Sequence, residues 1–176
     1  MKFKSIFANK LYSLILPENE KEGIHEFGRM LDLWNDVEYL KKYYDDNKHI
    51  IKNNPYLSFI TSIQEFVDLV LDEVEELELL FEIHFTKNTF EQFFEYLHKK
   101  VTDENKDLRK AKQSVLRIYA IKLKLEQQYI VTGGAIKITD TMQNHPDTEQ
   151  QLITLKKVQE FIKENNIYDI DSLIGT

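Results

Sequence analysis

Between Lys99 and Lys124 the chain sets nine cationic side chains against three acidic ones, Asp103, Glu104 and Asp107. Arg and Lys in such a stretch can hold phosphate oxygens through charge-assisted hydrogen bonds. Arg117 and Tyr119 lie two apart in Val115 to Lys124, a run rich in β-branched and aromatic residues, and Lys137 lies in a second such run, Tyr129 to Thr139. Strand alternation predicts Arg117 and Tyr119 on one face with Val115 and Ile121, and Lys137 on a face with Tyr129 and Val131. A sheet face mixing cations and a phenol among apolar residues can serve as the floor of a polyanion site, with Tyr stacking on a base. The same pattern also fits an edge strand whose charged groups snorkel to water.

Other chemistries find less support. Cysteine is absent from the 176 residues, which removes disulfides, thiolate metal sites and a cysteine nucleophile, and fits a reducing compartment. The net charge of −7 argues against a surface that clings to nucleic acid as a whole. From Asn53 to Thr86 there is no Lys or Arg, while Asp68, Asp72, Glu73, Glu75 and Glu76 crowd one stretch. A di-metal bundle would need a Glu-x-x-His step, yet Phe81 stands three before His84, so Asp68, Asp72, Glu75 and Glu76 are expected to face solvent or a basic partner without binding metal. His25, His49, His98 and His145 show no ligand spacing. Gly133-Gly134 lacks the Lys-Ser/Thr of a phosphate loop and the third glycine of a dinucleotide fingerprint, and reads as a bulge or bend. Lys10 interrupts the N-terminal run before a signal-like segment can build, and no apolar run approaches the ~20 residues of a membrane span. No cofactor is implied, and a cytoplasmic location is expected.

The elements that must position these groups follow from periodicity. Leu11–Leu16 is predicted as a strand closed by Pro17. Ile24, Phe27, Leu31 and Trp34, then Val37, Leu40, Tyr43 and Tyr44, predict two helices hinged at Asn35-Asp36 and ended by Asn54-Pro55. A third helix begins at a capping box in Thr61-Ser62-Ile63-Gln64, with Ile63, Phe66, Val67, Val70, Leu71, Val74 and Leu77 as its apolar stripe. A fourth is expected from Thr89 to Lys100, then a polar loop to Lys112. The Val115–Lys124 and Tyr129–Thr139 runs form a hairpin across Leu125-Glu126-Gln127-Gln128, and Pro146 opens a last helix ending near Asn165-Asn166. The fold class is α+β in one domain: a small antiparallel sheet, made of the N-terminal strand and the C-terminal hairpin, with a helical segment over 17–100 and a C-terminal helix.

Asp107-Leu108-Arg109, Leu116-Arg117-Ile118-Tyr119, the apolar run Tyr129 to Thr139 with its Lys137, and Pro146 with the helix beyond occur in an order that resembles the C-terminal half of the RelE superfamily of bacterial toxins, above all its HigB-like, phage-derived branch. The resemblance covers about Asp107 to Phe161, within a hairpin and C-terminal helix expected over 107–165. The chain departs from it in having Ile138 where a second Lys is expected, a longer step from Lys137 to Pro146, a larger helical segment and an acidic balance. It implies the toxin of a type II toxin–antitoxin module, a ribosome-dependent mRNA endonuclease that uses no metal, restrained by a small antitoxin protein. By matching position Arg109, Arg117 and Lys137 would be catalytic, the arginines as phosphate-stabilising cations and Lys137 as cation or proton-transfer group. Tyr119, Lys110 and Lys112 would bind substrate. The alternative is a non-catalytic protein-interaction protein on the same scaffold, whose acidic helices are the partner surface.

Overall fold

The two apolar stripes separated at Asn35-Asp36 fold as α1 (Glu26–Asn35) and α2 (Val37–Asn53). Asp36 is extended between them, and its carboxylate accepts the amides of Glu38 and Tyr39, so one residue ends the first helix and caps the second. In this computed structural model, which describes residues 1–7, 10–125 and 127–174, the longest helix is α3 (Ile63–Lys87). Its capping box falls one residue later than the sequence pattern suggests. The Ser62 hydroxyl accepts the Glu65 amide while the Glu65 carboxylate accepts the Ser62 amide, and the helix stops at Asn88 in the left-handed conformation, φ 56°. Asp68, Asp72, Glu75 and Glu76 are exposed on its outer face.

The sheet is larger than the hairpin and single strand expected. It has six strands in the order β1 (Lys2–Phe7), β2 (Leu11–Ile15), β6 (Tyr129–Ile136), β5 (Leu116–Lys122), β4 (Leu108–Lys112) and β3 (Glu95–Tyr96). The predicted N-terminal strand does join the hairpin, but in parallel: Leu11, Tyr12 and Ser13 lie opposite Tyr129, Ile130 and Val131, while every other pair is antiparallel. The helix expected over Thr89–Lys100 is only the single turn α4 (Phe90–Phe93), and the polar stretch read as a loop contains β4. Pairing with β5 gives β4 its place although Leu108 and Ala111 are its only apolar residues. Of the turn Leu125–Gln128 joining β5 to β6, Glu126 lies outside the described residues.

A hydrophobic core lies on each face of this sheet. On one, Met30 and Trp34 of α1, Leu40 and Tyr44 of α2 and Phe66, Val70 and Leu77 of α3 pack on Leu116, Ile118, Ala120, Tyr129 and Val131. On the other, α5 (Pro146–Glu164) and α6 (Ile170–Ile174) lay Leu152, Leu155, Val158 and Ile170 on Tyr12, Tyr119, Ile121 and Ile130. Among the described residues no helix is long and apolar enough to cross a membrane.

Candidate cationic site

Residues directly opposite one another in an antiparallel pair share a face. Lys110 is opposite Tyr119, which is opposite Gly133; Lys112 is opposite Arg117, which is opposite Ala135. Tyr119 and Ala135 belong to the core under α5, so all these side chains belong to that face. Lys137 joins them for a reason that simple alternation misses. Between Tyr119 and Ala120 the pairing jumps from Gly133 to Val131, which leaves Thr132 as an extra residue. A bulge of this kind inverts the inward and outward sense of everything beyond it. Tyr129 and Val131 therefore point to the α1–α3 core, whereas Ala135 points to the α5 side and Lys137, two residues on, keeps that side. The expectation that Lys137 shares a face with Tyr129 and Val131 is thus corrected, and so is the grouping of Val115 with Arg117 and Tyr119, because Val115 precedes β5 and is buried under α3.

The cations feel one another. Lys137 is held below the ordinary lysine range by burial and then by repulsion from Arg117 and, more weakly, Lys110, with Asp140 opposing. Burial lowers Lys110 as well; Glu95 opposes this, and Lys112 and Arg117 reinforce it. Glu95 bridges Lys112 at 3.0 Å and Lys110 at 3.6 Å. His98 is lowered by burial and by Lys110 and Lys156, which marks a further extension of positive potential toward α5. Arg117 donates through one Nη to the carbonyls of Gln113 at 2.5 Å and Leu116 at 2.7 Å, and Lys137 donates to those of Thr139 and, at 2.9 Å, Asp140. These bonds fix where the charges sit. Beneath them lies Tyr119, 1% exposed, whose hydroxyl has no hydrogen-bond partner among the described residues. Burial pushes this phenol up to about 12 against the pull of Arg117. Its ring offers no face on which a base could stack, so the stacking role expected for Tyr119 is not available in this conformation.

Arg109 stands apart. It lies opposite Ala120 and Tyr96, on the face of Ala111 and the α1–α4 core, with its guanidinium 4.0 Å from the centroid of the Tyr96 ring and one Nη bonded to the Lys106 and Leu108 carbonyls. The sheet separates it from Arg117, so of the three cations that the resemblance implies to be catalytic only Arg117 and Lys137 share a face, joined there by Lys110 and Lys112.

Glu73 is the residue that spacing should have singled out. Read with the acidic run it looks like surface charge, but it falls three residues after Val70 and four before Leu77, within the apolar stripe. It is 5% exposed and accepts from the Ser114 hydroxyl, the Val115 amide at 3.0 Å and the Leu116 amide at 3.0 Å. Its carboxylate ties α3 to the turn whose carbonyls hold Arg117. Among the described residues no group of three or more His, Asp or Glu side chains is placed to hold a metal ion.

The fold and this site together define a class, a mixed sheet between two helical layers with a cationic patch at one end of one face. Comparison of the chain with protein-family models, with curated proteins and with solved structures finds no match in any of the three.

Proposed function

We propose that the face formed by Lys110, Lys112, Arg117 and Lys137 binds the phosphate backbone of RNA, and that the chain is a RelE-like toxin acting in the cytoplasm as a metal-independent endoribonuclease. The observation that carries this reading is the gathering of four cations on one sheet face of a protein whose net charge is −7, countered there by Glu95 and Asp140. In such a reaction the 2′-hydroxyl attacks the adjacent phosphate, the proton leaves to a base and the 5′-oxygen departs with a proton. Arg117 and Lys110 stabilise the charge that builds on phosphate in the transition state, where pre-set donors act most strongly. Lys137, already lowered by burial and by Arg117, is the group suited to move the proton. A small antitoxin that covers the patch would restrain it, and mRNA on the ribosome is the substrate this reading assigns.

The test is expression of wild type, Arg117→Ala and Lys137→Ala with growth and mRNA cleavage followed together. Loss of toxicity by about 10²-fold in each variant is the scale expected when a transition-state donor is removed. Equal toxicity of all three proteins would refute the assignment. One observation favours a second reading, a non-catalytic interaction protein: the site's cations already donate to backbone carbonyls while the acidic face of α3 stands exposed. Under that reading wild type neither arrests growth nor cleaves RNA, and charge reversal at Asp72 and Glu76 abolishes partner capture.

A further inference from the structure

β2 and β6 are parallel neighbours, yet the chain leaves them for opposite faces of the sheet, β2 leading to α1 and β6 to α5. Where adjacent parallel strands hand on to helices on opposite sides, a crevice opens beyond their carboxyl ends, and open α/β sheets bind ligands there. This chain has such a crevice, about 730 Å³, and a smaller one of about 150 Å³ on the side of Trp34 and Gly134. Arg29, Gln150 and Gln151 line both, and none of Lys110, Lys112, Arg117 and Lys137 lines either.

The crevice contains an oriented cation. Glu26 is 1% exposed and takes Nε and one Nη of Arg29 on its two oxygens, each at 2.7 Å, while a third of the arginine side chain remains exposed. A buried carboxylate that fixes a guanidinium leaves the other edge of that fork set for an acceptor, with little rotamer freedom left to lose on binding. Lys157 of α5 is the second cation of the lining; Leu16 and Pro17 supply apolar wall, with Leu14 and Val158 buried behind them, and Glu18 lies close enough to Arg29 to raise its affinity for the proton. The Gln151 Oε1 is buried without a hydrogen-bond partner among the described residues.

This lining excludes simpler occupants. A lone phosphate would leave most of the volume empty, and a wholly apolar ligand would strip water from the ion pair and the amides with nothing in exchange. A polyanion would meet Glu18, Glu20 and Glu26 against two cations. A ligand with one anionic end, hydroxyls and a flat, partly apolar body matches each wall. We propose that the crevice binds a mononucleotide, its phosphate on Arg29 and Lys157, its ribose hydroxyls toward Glu18 and its base along the wall of Leu16 and Pro17. The proposal does not depend on the toxin reading, because the cationic patch takes no part in it.

The experiment titrates purified full-length protein with AMP, UMP, adenosine and inorganic phosphate, following the fluorescence of Trp34, the single tryptophan, beside calorimetry. A saturable response to at least one nucleotide, with adenosine and phosphate each weaker by about tenfold or more, is the expected result, since each lacks one half of the contacts. Lys157→Ala, on an exposed side chain, and the double variant Glu26→Gln/Arg29→Gln, which replaces the ion pair by neutral groups of similar shape, should each weaken nucleotide binding by about tenfold or more, the scale of a charge-assisted hydrogen bond. Arg117→Ala should leave it unchanged. No saturable response to either nucleotide, phosphate bound as tightly as nucleotide, Lys157→Ala binding as wild type, or binding abolished by Arg117→Ala would each overturn the proposal. If the double variant fails to fold, the wild-type, Lys157→Ala and Arg117→Ala arms decide the matter alone.

Discussion

Replacing Glu73 by alanine tests the link between the helical layer and the cationic face. In the wild type two buried amides, Val115 and Leu116, and the Ser114 hydroxyl donate to this carboxylate. Val115 and Leu116 are both 0% exposed, so alanine leaves their N–H groups without water or protein partner. Each such orphan costs about 1–3 kcal/mol, and relief from burying a charge returns part of that, which puts the net loss at about 3 kcal/mol. For a chain of this size the midpoint of thermal unfolding should drop by roughly 6–12 °C. Glutamine keeps one acceptor oxygen and should lose about half as much. The carboxyl also carries a pH signature. Burial, outweighing the bonds from Leu116, Val115 and Ser114, raises its pKa above 4.5. The native state therefore binds more protons than the unfolded one between the ordinary value and the raised one, so this group's contribution is fully present below the ordinary value and declines as pH rises through that window. Urea titrations of wild type and Glu73→Gln across that range should give a stability difference with this slope. A Glu73→Ala protein within about 0.5 kcal/mol of wild type, the range of neutral surface changes, would refute the argument.

Gly133→Ala should destabilise by about 1–3 kcal/mol in urea unfolding, because φ +152° disfavours a side chain and its Cβ would lie 2.1 Å from the Gln151 Oε1; adding Gln151→Ala should recover only the steric part. His25 caps α1 by accepting the Gly28 amide at Nδ1, and its pKa is lowered by burial and then by Lys4. The cap is thus present above pH 6.5 and lost as pH falls through the lower folded value, a dependence His25→Asn should remove from thermal unfolding curves. Lys112→Ala should reduce the slope of log affinity for single-stranded RNA against log salt by about 0.7, the value of one phosphate contact, whereas Arg109→Met should leave that slope alone.

The sequence was most legible where one period ran long. The stripes of α1, α2, α3 and α5 were each set by apolar residues at helical spacing, and Asp36, Asn54 and Pro146 marked boundaries through local chemistry that needs no tertiary context. Short elements were hidden because partners, not propensity, define them. β1, Lys2–Phe7, is an edge strand whose alternate lysines read as polar, and β4 is a run of cations that becomes a strand only because β5 lies beside it. Phe90, Phe93, Phe94 and Leu97 at helical spacing suggested a helix over Thr89–Lys100, yet after one turn Leu97 and Leu108 come together across a backbone bond, and β3 pairs with β4. Arg117 was legible on the face of Tyr119 and Ile121, but the faces of Lys137, Lys110 and Lys112 were not, since they depend on the bulge in β6 and on a strand β4 that the sequence reads as loop.

The bulge at Thr132 shows why register governs the site. Had β6 continued regular pairing, the alternation that puts Tyr129 and Val131 into the α1–α3 core would have carried Lys137 into it too, and Ile136 and Ile138 out of it. A buried, unpaired lysine in that position would cost several kcal/mol, so the extra residue is what lets the same strand feed one core at its start and present a cation on the opposite face at its end. Gly133 makes the inversion possible with its positive φ, and Gly134 lets the strand lie against Trp34 and Met30, where a Cβ would fall 2.8 Å and 2.5 Å from their side chains. The paired glycines are thus structural in origin and functional in effect. Without the turn they permit, Lys137 would stand on the wrong side of the sheet from Arg117.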